Sequence, residues 1–314
     1  MTARRLRILA GIVMLGVSTV GLMACRPSAP ACPTCAAHEA EVARWREDRL
    51  AGLRAEQSWL ALAGLFWLDE GEQRLGADPS ADIVFPAGAP AEIGVLTRRG
   101  DEVRLRVAPG VDARIDGVQV AEVALRSDAD ASRPAERVTI GSRFVFLILV
   151  RGGRIGLRLY DTQSPARRAF VGIESFPIRP EWRVQARFEP FSPPRTIEHP
   201  TVIGATRAEV PGVAIFTIDG VERRLTPILE TGPKGQELLF LFRDRTSGVE
   251  TYTGGRFLVT ELPRDGLVEL DFNKAHNPPC AFTAYATCPL PREENHLELR
   301  VEAGEKTYAG PHEP

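Results

Sequence analysis

The chain has 314 residues, 44% hydrophobic and 25% charged, with 39 basic against 41 acidic side chains and a formal net charge of −2. That balance gives no electrostatic reason to bind nucleic acid, and the apolar share suffices for the cores of two small domains. Only three of the basic residues are lysines, which reads as compositional bias and not as chemistry.

Residues 1–7 hold Arg4, Arg5 and Arg7 and no acid, and an apolar run over 8–24 ends at Cys25. A basic start before a short apolar stretch is the layout of a secretory signal. Leu22-Met23-Ala24-Cys25 then resembles the lipobox of bacterial lipoproteins, Met23 being a departure from the usual small residue. The resemblance implies a signal peptide over 1–24, cleavage before Cys25, and lipidation of the Cys25 thiol. A spanning helix would ask for about 20 apolar residues, more than this run offers. The lipid bilayer is thus an expected partner, each buried methylene of the anchor contributing about 0.8 kcal/mol. Arg26 after the cysteine, in place of aspartate, implies the outer membrane facing the periplasm in a Gram-negative cell. The mature chain would keep 36 basic side chains (39 minus 3) against 41 acidic ones.

With Cys25 taken by lipid, Cys32, Cys35, Cys280 and Cys288 remain, an even number in an oxidising compartment. Cys32-Pro33-Thr34-Cys35 is a CxxC, which alone could be a redox or metal pair. It lies in a Pro/Ala-rich tether (25–37) without a βαβ pattern, so a loop-closing disulfide is the simpler reading. Cys280 and Cys288 close a short loop, with Pro278, Pro279 and Pro289 just outside it, that a second disulfide would staple. The histidines at 38, 199, 276, 296 and 312 form no metal-binding spacing, and no Gly-x-Ser-x-Gly elbow occurs. Neither metal nor cofactor is therefore expected.

Residues 38–63 read as a helix that Gly64 terminates, with Val42, Trp45, Leu50, Leu53, Trp59 and Leu60 towards one side. From 71 onward, short alternating runs between turn signals predict strands at 82–85, 92–96, 103–107, 114–115, 118–125, 137–140, 144–150 and 155–160. Asp116-Gly117 and Gly152-Gly153 are hairpin dipeptides. After a junction at 163–168, further strands are expected at 184–188, 196–202, 214–218, 221–229, 237–242, 256–259, 267–270 and 297–301. The fold class is all-β behind an N-terminal helix: one sandwich over 64–161, then an antiparallel sandwich or barrel over 162–314.

The punctuation of the first β segment (Leu75-Gly76, Asp82-Ile83-Val84, Ile115-Asp116-Gly117, Thr139-Ile140-Gly141) resembles a forkhead-associated (FHA) domain. Such domains are β-sandwiches whose loops bind phosphothreonine. Ala77 stands where that family has its arginine, so the resemblance implies the scaffold without phosphopeptide binding.

Residues 240–308 concentrate polar side chains beside turns. Arg256 could clamp a carboxylate or phosphate, with Asp244 and Asp271 orienting it or one of them acting as a general base. Tyr252, Asn273, Asn277 and Tyr285 would add neutral hydrogen bonds, a set suited to a small polar or anionic ligand. The competing reading is structural: Asp244 before Thr246-Ser247-Gly248 makes a good Asx-turn, and Asp271 with Asn273 could satisfy loop amides. A His276–Cys280 nucleophilic pair is conceivable, but a disulfide would consume its thiol. Trp59-Leu60 with Gly64-Leu65-Phe66-Trp67-Leu68, the 244–256 block and the 271–291 block together resemble the family called domain of unknown function 1684, over about 44–308. That resemblance implies a unit without implying an activity. Three readings follow: an envelope lipoprotein binding a small ligand through its C-terminal β domain, a hydrolase using Asp244 or Asp271 there, or a scaffolding lipoprotein without a site.

Overall fold

A computed structural model describes residues 33–130, 133–232 and 235–311. The signal segment, Cys25, Cys32 and His312 lie outside those residues. The chain opens with helix α1 (Pro33–Arg54). It begins inside the expected tether, since Ala36, Ala37, Ala40 and Ala43 among Glu and Arg are strong helix formers. It also stops well before Gly64. The apolar, aromatic run that follows the helix becomes strand β1 (Leu62–Trp67), because it is too short for periodicity to separate strand from helix.

The next strands are β2 (Gly71–Gly76), β3 (Ile83–Val84), β4 (Gly94–Arg99), β5 (Glu102–Val107), β6 (Ala113–Ile115) and β7 (Val118–Gln119). They continue as β8 (Glu122–Leu125), β9 (Val138–Ile140), β10 (Phe144–Arg151) and β11 (Arg154–Asp161). Two sheets result, in the orders β1-β11-β10-β9-β6-β7 and β3-β2-β4-β5-β8. They form a sandwich around Leu75, Phe85, Leu96, Leu105, Phe144, Phe146, Leu157 and Leu159. Both hairpin dipeptides fall at turns with positive φ, Asp116 at 50° and Gly152 at 56°.

Alternation along the two central strands sorts side chains to opposite faces. Phe144, Phe146 and Ile148 of β10 and Ile155, Leu157 and Leu159 of β11 enter the sandwich core. Val145, Leu147, Leu149 and Tyr160 face outward and make a second apolar layer with Ala61 and Leu62, against which Trp59 and Tyr285 pack. The outer face of the six-stranded sheet is therefore covered, where an isolated sandwich would present it to water.

Beyond a short helix α2 (Pro165–Arg168) come β12 (Arg183–Thr201), β13 (Gly204–Ile218), β14 (Val221–Leu225), β15 (Ile228–Gly232), β16 (Gly235–Asp244), β17 (Arg256–Thr260), β18 (Leu267–Asp271) and β19 (His296–Leu297). One sheet runs β14-β13-β12-β18; β15-β16-β17 forms another, with β19 parallel on β16. Between them Phe272 packs edge-on against Phe242 at 5.5 Å and against Trp182 at 6.3 Å. Two expected strands fuse into β12, while 221–229 splits into β14 and β15. The last expected strand is cut to two residues because the Val301 N–H leaves the ladder and donates to Asp244 at 2.7 Å.

Helix α1 docks on this second half mostly through polar groups. His38 meets Asp271 at 2.8 Å, Arg49 meets Glu305 at 3.0 Å, and Arg46 donates to the Phe176 carbonyl at 3.0 Å. Of its apolar side chains, Val42 and Leu53 are fully buried.

Candidate functional site

Asp244 ends β16 and Arg256 opens β17, and in-register pairing of Phe242 with Arg256 brings them together. Their ion pair is 3.3 Å long with both side chains wholly inaccessible. The guanidinium also donates to the Ala303 and Val301 carbonyls, at 2.5 and 3.0 Å, and lies over the Phe242 ring. The Asp244 carboxylate accepts from Thr246 Oγ1, Ser247 Oγ and the Thr246 and Val301 amides. Burial pushes the Arg256 pKa down and Asp244 opposes that shift. This pair ties the strand ends to residues 301–303, and its acceptors and donors are turned inward.

The other expected residues gather elsewhere. Asp271 accepts from His38 Nε2 and from the amide and side chain of Asn273, with Lys274 at 3.7 Å. Asn273 also bonds both backbone groups of Arg179. Asn277 donates to Glu305 and to the Lys306 carbonyl, while Glu305 holds Arg49 of α1. Tyr252 donates to the Cys280 carbonyl at 3.2 Å, and burial raises its pKa. Tyr285 packs on the outer face of the first sheet instead. Among the seven, Asp271 borders a groove with Glu41, Glu269 and Lys274. Cys280 and Cys288 are bridged across Cα atoms 6.2 Å apart, and Cys35 sits half-buried in α1. Among the described residues no three His, Cys, Asp or Glu side chains gather as a metal site.

A cleft of about 600 Å³ opens at a different place, between the end of α1 and the outer face of the six-stranded sheet. Its apolar walls are Leu53, Trp59, Leu147 and Tyr160, and its polar groups include Arg49, Ser58, Asp128, Arg137 and Arg158. Arg158 sits mid-strand on β11, directly opposite Leu147 of β10 and Leu65 of β1, and is 6% exposed. Its guanidinium lies 5.4 Å from the Trp59 ring centre, and Nη2 is 3.4 Å from Thr287 Oγ1 on the disulfide loop. Burial lowers its pKa, with Tyr160 opposing. A smaller cavity of about 220 Å³ behind it shares Trp59 and Arg158 and adds Thr287, Cys288 and Glu230.

Sequence reasoning missed Arg158, Arg49, Glu305 and His38. The alternation Ile155-Gly156-Leu157-Arg158-Leu159-Tyr160 does put Arg158 opposite the core residues, and an arginine there reads as solvated. Only the cover supplied by α1 and the disulfide loop makes it buried.

The model of the family described as "Protein of unknown function (DUF1684)" matches residues 168–306. The solution NMR structure of an uncharacterised protein from Haloarcula marismortui, gene locus rrnAC0354, is 34% identical over 45% of this chain and 80% of its own, at a TM-score of 0.39. The chain belongs to the DUF1684 family. The family match is shorter than the stretch read from sequence, beginning at Arg168 and not near residue 44. The cytoplasmic domain of the T3SS sorting platform protein PscD from P. aeruginosa is 29% identical over 36% of this chain and 82% of its own, at a TM-score of 0.20. At these TM-scores neither likeness bears on fold or partners. No curated protein matches this DUF1684 chain.

Proposed function

We propose that the protein is an envelope lipoprotein, acylated on Cys25, that captures a small ligand in the cleft between α1 and the six-stranded sheet. The observation that carries this is the cleft: about 600 Å³ bounded by Leu53, Trp59, Leu147 and Tyr160, inside an interface that is otherwise packed. Concave sites with apolar walls and few polar groups, at the meeting of structural units, are where small molecules bind. Basic residues, apolar run and terminal cysteine support the lipid address, and a first sandwich with Ala77 at the critical loop supports an FHA-like scaffold that does not read phosphopeptides. The Arg256 region lends the ligand reading no support, because Asp244 and Arg256 spend their hydrogen bonds on each other and on the backbone. The hydrolase reading fares no better, as both aspartates are already bonded within the protein.

Native mass spectrometry of the lipidated protein, released from membranes, tests the ligand. A retained small molecule is expected, and Gly52→Phe should lose it. Gly52 lines the cleft and a Cβ there meets nothing within 4 Å, so a side chain can start from this position without a clash and its ring is expected to obstruct the cleft. Retention unchanged in Gly52→Phe would remove the cleft from consideration. Cys25→Ala should abolish labelling by radioactive palmitate; persistent labelling overturns the address.

A further inference from the structure

We infer that the cleft is a carboxylate site, built around Arg158, for a small molecule with an apolar body; this rests on the cleft being the ligand site. Arg158 stands in the middle of an apolar sheet face, flanked in register by Leu65 and Leu147. Among the described residues no carboxylate lies within ion-pair distance of it, and its Nε atom is buried without a hydrogen-bond partner. A buried cation is ordinarily paired or strongly hydrogen-bonded, because removing it from water is costly. Trp59 beneath it, the Tyr160 hydroxyl beside it and a long contact to Thr287 stand in for a counter-ion, and none of them carries a full negative charge at neutral pH.

The other charges around the cleft do not supply the missing anion. Asp128, the acid on the wall, is held by Arg151 at 2.7 Å and accepts from the Val150 amide. Arg49 is already paired with Glu305. Arg137 is exposed, stacks on Tyr160 and bonds Gln57, with no acid of its own. Glu230 borders the smaller cavity behind Arg158, beyond ion-pair distance of it. Among the described residues the cleft therefore carries two cations without an ion-pair partner, Arg137 at the mouth and Arg158 at the floor, the latter reached by Asp128 only from beyond ion-pair distance.

A second orphan points the same way. Ser58 lines the cleft, and its buried hydroxyl oxygen has no partner among the described residues. A carboxylate on the cleft floor would accept from the Arg158 guanidinium and from Ser58, satisfying both. Trp59, Tyr160, Leu53 and Leu147 would then enclose an aryl or alkyl body. One buried guanidinium suits a monoanion better than a phosphate dianion, for which bidentate arginine clusters are the usual partners.

The test is calorimetric titration of the whole lipidated protein, in detergent, with benzoate, with benzamide as its uncharged shape-match, and with inorganic phosphate. Benzoate should bind roughly tenfold or more tightly than benzamide, and phosphate more weakly than benzoate. Arg158→Met should erase the preference for benzoate, while the unliganded variant melts at the same temperature or higher, since it removes an unpaired buried charge. Equal affinity for benzoate and benzamide overturns the carboxylate site and leaves the cleft standing. So does an Arg158→Met variant that melts lower and still prefers benzoate, which makes Arg158 a packing residue. Phosphate binding more tightly than benzoate, or no benzoate binding up to about 10 mM, likewise overturns it. Binding of either organic probe that survives Gly52→Phe overturns instead the reading of the cleft as the ligand site.

Discussion

At the scale of single residues, burial acts on titratable groups in two ways. Asp244 and Arg256 illustrate the first, an ion pair that closes the strand ends over residues 301–303. Asp244→Asn keeps the shape but leaves a fully buried guanidinium without its counter-charge, so a loss of about 3–5 kcal/mol is expected in urea unfolding. Asp244→Asn combined with Arg256→Met should recover part of that loss; a single variant costing under about 1 kcal/mol would show that the pair is slack. His276 is the opposite case, a titratable group held neutral. Its ring lies 5.7 Å from Trp45 and 6.2 Å from Phe257, and Nδ1–H donates to the Lys274 carbonyl. Burial, helped by nearby Arg49, brings its pKa down from 6.5 to about 4. Protonation then favours the unfolded chain: the stabilisation is complete above pH 6.5 and is lost as pH falls from 6.5 towards 4. His199, whose pKa burial also lowers, acts in the same direction. At most about 3 kcal/mol is at stake for His276, and His276→Gln should flatten unfolding free energy against pH across that window. An unchanged slope in the variant would move the effect to other groups.

At the scale of elements, the strands announced themselves where one face is buried and the other wet. The 103–107 stretch alternates buried and exposed and becomes β5, whereas 155–160 alternates in sequence but is covered on both faces as β11; Asp116-Gly117 marked the β6–β7 hairpin and Gly152-Gly153 the β10–β11 hairpin. Strand β1 was hidden because Leu62-Ala63-Gly64-Leu65-Phe66-Trp67 is apolar on both faces, one packing into the sandwich and the other into the outer layer. Helix α1 was legible from composition, and its expected apolar stripe does dock, with Val42 and Leu53 fully buried and Trp45 against His276. His38, Arg46 and Arg49 dock it as well, through partners more than a hundred residues away. Long-range polar contacts leave no periodic signature. The polar block at 244–277 was visible as a constellation for the same reason that its meaning was not: spacing groups Asp244, Arg256, Asp271 and Asn277 along the chain, whereas hydrogen bonds divide them among three separate locks. Arg158 was invisible for the converse reason, a charge on an outer face that only tertiary cover makes buried.

At the scale of the whole molecule, the family-matched segment and the physical unit differ. The match covers 168–306, but α1 lies outside it and supplies partners to that segment's buried acids. Cut free, residues 168–306 would lose Arg49 from Glu305 and the His38 hydrogen bond from Asp271, whose nearest remaining cation is Lys274 at 3.7 Å, and both carboxylates would lose the cover that α1 gives them. The outer apolar layer, to which Tyr285 contributes, would be opened as well. Losing the helix forfeits the Arg49–Glu305 ion pair, the His38–Asp271 hydrogen bond and the burial of Val42 and Leu53, several contributions of about 1–3 kcal/mol each against a typical domain stability of about 5–15 kcal/mol. Residues 168–306 expressed alone should therefore show strand content by circular dichroism but a broad, low-cooperativity melt, against a sharp transition for the full chain. A peptide of residues 33–54 added in trans should sharpen that melt, and the same peptide with Arg49→Ala and His38→Ala should not. A segment that melts sharply without the peptide would make α1 an accessory, and would also leave the cleft without an obligatory wall.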